Sequence, residues 1–151
     1  AFAWAAYVAE ISYDPLTYEA HVDDFVAVQE VGRVINPVLA AGQIEGGVAQ
    51  AIGFTLFEHV VWKDGRMANN QMTNYIIPTP ADIPPIRVFF EENPYAYGPG
   101  GAKGIGELPM DGAAPAILNA IENATGTSFN RIPLMPETLI NVSHKTAQNE
   151  L

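Results

Sequence analysis

The chain has 151 residues, with 17 acidic side chains against 7 basic ones for a formal charge of −10, and is 48% hydrophobic but only 16% charged. That length suits about one domain with a core of its own, and the hydrophobic share excludes a disordered chain. The acidic balance sets nucleic-acid binding aside, no apolar run reaches the roughly 20 residues of a membrane span, and the absence of cysteine excludes disulfides, a thiolate nucleophile and sulfur-ligated zinc or iron–sulfur sites in this chain.

The opening Ala-Phe-Ala-Trp-Ala-Ala has no basic region and no cleavage pattern, so a signal peptide is not expected there. Without an initiator Met it reads as the interior of something longer. Residues 2–11 and 17–28 alternate apolar and polar side chains on either side of Asp14-Pro15, which predicts an antiparallel hairpin. Gly32 and Asn36-Pro37 close that region. From Val38 to about His59 the apolar residues Ile44, Val48, Ala51, Ile52 and Leu56 recur at helical spacing. Gly46, Gly47 and Gly53 lie inside this helix, each costing about 1 kcal/mol against alanine. Glycines there imply close approach to the backbone, either by packing against a sheet or by a bulky ligand. Lys63-Asp64-Gly65-Arg66 is a hairpin turn after the short strand 60–62.

Four prolines between Tyr75 and Pro85 predict an extended wrap. Residues 86–91 read as a strand, and 93–106 as a glycine-rich loop. A second helix is expected from Asp111, as N-cap, to about Ala124, with Ala116, Ile117, Ala120, Ile121 and Ala124 as its buried stripe and Gly126 as its stop. A short strand and proline-rich turns are expected from Asn130, followed by a polar tail over 141–151. The pattern is α+β: a mixed or antiparallel sheet with two main helices packed on it and long Gly/Pro-rich loops.

Two segments stand out chemically. The stretch from Gly98 to Pro109 has five glycines in nine residues, exposing backbone N–H groups that can cradle an anion. It is not a P-loop, because Lys103 is followed by Gly104, and no helix opens directly behind it as a dinucleotide fingerprint requires. Glu107 is its lone carboxylate, flanked by Ile105, Leu108 and Met110. Apolar neighbours would desolvate it and suit it to general-base work, whereas a Glu at a loop corner is the plainer reading. The second segment, 42–47, holds Gln43, whose carboxamide can read a heterocycle edge or an oxo group. Gln43 and Gln50 could equally face solvent or cap neighbouring backbone. His21, His59 and His144 are too scattered for a ligand set.

At these segments the chain resembles the C-terminal part of the molybdopterin-binding large subunit of the xanthine dehydrogenase, aldehyde oxidase and carbon monoxide dehydrogenase family. The resemblance rests on Val31-Gly-Arg-Val-Ile-Asn-Pro37, Gly42-Gln-Ile-Glu-Gly-Gly47 with Gly53 and Glu58, Asn74-Tyr-Ile-Ile-Pro-Thr79 and Asp82-Ile-Pro84. It continues through Gly101-Ala-Lys-Gly-Ile-Gly-Glu107, 113–121 and Ala124-Thr-Gly126, so residues 1–140 form the expected domain segment. One departure is Glu30, where relatives commonly carry Asp.

The resemblance implies a molybdenum–molybdopterin cofactor in its cytosine dinucleotide form. It implies hydroxylation of a heterocycle or aldehyde, or oxidation of CO, with water as the oxygen source. Glu107 inherits the role of the catalytic base beside molybdenum, without ligating the metal. Gln43, Gly46 and Gly47 inherit the cofactor side, and Lys103, Gly104 and Gly106 shape the loop around it. The implied partners are the rest of the molybdenum subunit, iron–sulfur (2Fe-2S) and FAD subunits, and a small-molecule substrate, in a cytoplasmic or alternatively periplasmic hetero-oligomer. The family's subunit is several times longer, so this chain is expected to act as a separate small subunit or a fragment, and not to hold the cofactor alone. A non-catalytic assembly module that kept the fold is the alternative.

Overall fold

The computed structural model describes residues 1–140; the tail expected over 141–151, with His144, lies outside the described residues. Strand β1 (Trp4–Tyr13) pairs antiparallel with β2 (Ala20–Glu30), as the alternation predicts, with an irregularity between Glu10 and Ile11. Tyr7, Ala9, Ile11 and Tyr13 turn toward the core, while Trp4 and Val8 face outward. Helix α1 (Pro37–Leu56) follows, and the two-residue strands β3 (Trp62–Lys63) and β4 (Arg66–Met67) close the Asp64-Gly65 hairpin. Strand β5 (Ile86–Phe90) then lies parallel to β2 on the side away from β1, giving a mixed sheet in the order β1-β2-β5.

The core sits between this sheet and the two main helices. Phe25 and Ala27 from β2 meet Ile44, Val48 and Ile52 of α1 and Ile117 and Ile121 of α3 (Ala113–Thr125), all fully buried. Asn36 caps α1, its Oδ1 accepting from the Leu39 N–H at 3.1 Å, with Pro37 pre-set for the first turn. At the other end the Gly53 carbonyl accepts from the amides of Phe57 and Glu58, both at 2.9 Å. Gly126, at φ 71°, ends α3 as expected.

Two expectations are corrected. Asp111 does not cap the second helix: it ends a separate one-turn helix, α2 (Leu108–Asp111), and Gly112 stands at the N-cap of α3. The break falls where the Tyr7 ring presses on the chain, since a Cβ on Gly112 would lie 2.3 Å from ring carbons of Tyr7. The stripe shifts accordingly, to Ala113, Ala114, Ile117 and Ile121, leaving Ala124 exposed. Nor does a strand form after Asn130 among the described residues. Pro133 and Pro136 have no N–H to give a ladder, and the Leu134 amide instead donates to the Thr55 carbonyl at 2.7 Å, docking the segment on the end of α1.

Candidate active site

The glycine-rich loop is fastened to the end of β2. Gly32, at φ +72°, forms an antiparallel bridge with Ala102, and a Cβ there would sit 2.4 Å from the Gly101 carbonyl oxygen. That carbonyl accepts from the Arg33 amide at 2.8 Å and the Tyr95 amide at 2.9 Å, while the Lys103 amide donates to Val31 O at 2.8 Å. Only a glycine satisfies both the backbone angle and the clearance at position 32.

Lys103 is drawn inward by this pairing. Its Nζ donates to the Glu30 carboxylate at 2.5 Å, the two side chains being 9% and 15% exposed. The other carboxylate oxygen of Glu30 accepts from the Gly32 amide at 2.9 Å. The ammonium beside it holds the Glu30 carboxyl below its usual range; burial opposes this and the Gly32 amide reinforces it. Lys103 is therefore committed to Glu30, and acts on the loop as a strut.

Past Lys103 the chain is open. The amides of Gly104, Ile105, Gly106 and Glu107 donate to no acceptor among the described residues, a row of free donors of the kind that receives a polar ligand. Gln43 reaches this row from α1, its Nε2 donating to the Gly106 carbonyl at 3.2 Å. That bond joins the two segments singled out in the sequence, 63 residues apart. Glu107 follows directly, at the N-cap of α2. Its side chain makes no capping bond, no ion pair and no hydrogen bond among the described residues, and the residue is exposed. The expected enclosure by Ile105, Leu108 and Met110 does not arise among the described residues, where Glu107 is exposed and those three side chains are half-buried. A cleft of about 310 Å³ lies alongside, lined by Arg33, Leu39, Gln43, Lys103 and Ile105 among others.

The glycines of α1 do not pack on the sheet, as one of the two readings had it: two are buried against other segments and two are open. Gly47 is buried against Pro109, whose Cγ would lie 2.3 Å from a Cβ, and Gly53 against the Glu58 carboxylate, 2.2 Å from a Cβ. Both serve packing. Gly42 and Gly46 face open space, with nothing within 4 Å of a Cβ. They line a second depression of about 440 Å³ with Ile83 and Pro84. So Gln43, Lys103, Gly104, Gly106 and Glu107 gather at one site, Gly47 packs on Pro109 behind it, and Gly46 lies apart, on the depression with Ile83 and Pro84. Gln50, His21 and His59 are exposed and take no part. Tyr7 and Gln29, which the motifs do not mark, lie directly behind the Glu107 turn.

The sequence model for the molybdopterin cofactor-binding domain matches residues 1–84, more than half of the chain. This chain belongs to the molybdopterin cofactor-binding domain family. It is 32% identical over 144 residues to the xanthine dehydrogenase molybdenum-binding subunit of Escherichia coli O157:H7, covering 94% of this chain and 19% of that one. Among solved structures, quinoline 2-oxidoreductase from Pseudomonas putida 86 superposes with a TM-score of 0.82 at 39% identity, over 88% of this chain and 17% of that one. The aldehyde oxidoreductase of Desulfovibrio gigas gives 0.83 at 31%, over 92% and 15%. The chain thus spans about a fifth or less of the length of the relatives it matches.

The residues present fit the cofactor for which the molybdopterin-binding family is named. Open glycine faces at Gly104 and Gly106 leave room for a flat group, and the amide row with Gln43 offers hydrogen bonds to its polar edge. No cluster of three metal-ligating side chains occurs among the described residues. No helix there is long and apolar enough to cross a membrane.

Proposed function

We propose that this chain forms the glutamate-bearing wall of a molybdenum hydroxylase or dehydrogenase site, completed by the rest of a molybdenum-binding subunit. The observation that carries the reading is the Gln43–Gly106 hydrogen bond, which sets a free carboxylate, Glu107, beside the open amide row. A molybdenum cofactor bound there, in the cytosine dinucleotide form, would supply a two-electron redox centre and use water as the oxygen source.

The chain's own residues then divide the work. Glu107 takes the proton as general base, since its carboxylate is spent on no other partner. The amides of 104–107 and the Gln43 carbonyl oxygen hold the cofactor's polar edge, and Gly46 admits it close to α1. Lys103, neutralised by Glu30, shapes Gly104 and Gly106 through the backbone. Closure by the remaining segments would remove water from Glu107 and strengthen its basicity. The substrate class is an electron-poor heterocycle or an aldehyde, or CO. With no cysteine here, electrons leave through 2Fe-2S and FAD partners in a hetero-oligomer.

Glu107→Gln in the molybdenum-loaded enzyme tests this reading. It should lower turnover by about 10²- to 10⁴-fold, the usual worth of a general base, while molybdenum content stays at the wild-type level. Unchanged turnover would remove Glu107 from the chemistry. A complex lacking molybdenum altogether would favour the assembly-module reading.

A further inference from the structure

The Glu107 turn is held from behind by a side chain that no motif marks. Tyr7 points inward from β1, and its hydroxyl donates to the Leu108 carbonyl at 2.5 Å, across 101 residues of chain. The ring is fixed on two further sides. It presses on Gly112, where a Cβ would come within 2.3 Å, and its centroid lies 6.1 Å from the fully buried ring of Phe25. Beside it lies the fully buried carboxamide of Gln29. Burial pushes the phenol up, Gln29 opposes, and Asp111 adds to the rise. The hydroxyl therefore stays protonated, and a donor, at any working pH.

The carbonyls engaged are those on either side of Glu107. Gln43 holds Gly106 O from the cleft side and Tyr7 holds Leu108 O from the core side. Between two anchored peptide units the Cα–Cβ direction of Glu107 is set, while its side-chain torsions remain free to deliver the carboxylate. Anchoring matters here because Gly104 and Gly106 precede the turn, and glycines give a loop freedom that misplaces a base.

We propose that Tyr7 is the positioning residue for Glu107, its hydroxyl fixing the 107–108 turn through the Leu108 carbonyl. This deepens the reading of Glu107 as general base and rests on it. Tyr7→Phe removes the hydroxyl and keeps the ring against Phe25 and Gly112. Ile121→Val, a trimmed core residue on α3 away from the turn, serves as the control for lost stability.

Two readouts decide. In the 151-residue chain, Tyr7→Phe should speed hydrogen exchange at the Met110 amide, which donates to the Glu107 carbonyl at 3.0 Å, and leave β2 and α3 as in wild type; Ile121→Val should not touch that amide. In the molybdenum-loaded enzyme, Tyr7→Phe should lower kcat by about 10- to 100-fold with KM nearly unchanged, the cost of a misplaced catalytic group, and Ile121→Val should leave kcat unaltered. Wild-type exchange and kcat in Tyr7→Phe, with turnover lost in Glu107→Gln, would overturn the role of Tyr7 and leave the base in place. Full turnover in Glu107→Gln would remove the base, and this role of Tyr7 with it.

Discussion

At the scale of single residues the site depends on charges being committed or left free. Glu30 and Lys103 neutralise each other at the root of the loop, so the loop carries no unpaired cation of its own toward the cleft, and Glu107 keeps its carboxylate unspent. The pair also makes stability depend on pH. Because the folded state depresses the Glu30 carboxyl, its contribution is fully present above the unfolded glutamate value of about 4.3 and fades as the pH falls through the lower folded value. Glu30→Gln should cost about 2 kcal/mol at pH 7, since it leaves a largely buried ammonium without its counter-charge. Urea midpoints of wild type and variant should lie apart at pH 7 and converge in acid. A gap that persisted below the folded value would mean that charge is not what Glu30 contributes.

At the scale of elements, α1 shows how one helix can both support and border a site. Its neighbouring glycines face different surroundings: Gly47 meets Pro109 of α2, and Gly46 meets nothing. Gly47→Ala should destabilise the chain by about 1–3 kcal/mol, because Pro109 cannot fold out of the way and α2 must shift. Gly46→Ala should instead stabilise the isolated chain by about 1 kcal/mol, the ordinary helix gain, and yet reduce molybdenum content of the assembled enzyme. Thermal unfolding and metal analysis on the two variants check both halves. Equal destabilisation, or full metal loading in Gly46→Ala, would contradict the division.

The same helix marks what sequence can convey. Its span and its buried stripe follow from local chemistry and were legible, as were the first hairpin and the Asp64-Gly65 turn, whereas Asn36-Pro37 read only as the close of the hairpin and proves also to cap and open α1. The parallel seat of β5 beside β2 was not, because 86–90 pairs with residues about sixty positions away and carries no local sign of its neighbour. The separation of α2 from α3 was hidden for a similar reason: it answers to the Tyr7 ring on a distant strand. For the site, residue type pointed to Gln43 and Glu107 and the resemblance added Lys103, but the partners of Gln43 and Lys103, Gly106 and Glu30, are chosen by the fold. Tyr7 looks in sequence like any inward strand aromatic.

For the whole molecule, the open amide row of 104–107 and Gln43 border Glu107, and no described residue bonds its carboxylate. Enclosure of a cofactor needs walls on both sides, and relatives of this chain are about five times its length or more. The isolated chain should therefore fold without retaining stoichiometric pterin or molybdenum, and gain both only in the presence of the remaining molybdenum-subunit segments. Metal analysis after size-exclusion chromatography of the chain, alone and assembled, reads this directly. A tightly held cofactor on the isolated chain would mean that one wall suffices.

The central claim is that Glu107 moves the proton in the chemical step. The most direct test is anaerobic stopped-flow reduction of the molybdenum centre by an N-heterocycle or aldehyde substrate, comparing wild type with Glu107→Gln at equal metal content. This isolates the first half-reaction from electron exit. The account predicts that reduction slows by about 10²- to 10⁴-fold in the variant, with the metal centre's spectrum before mixing unchanged. Reduction at the wild-type rate would contradict it.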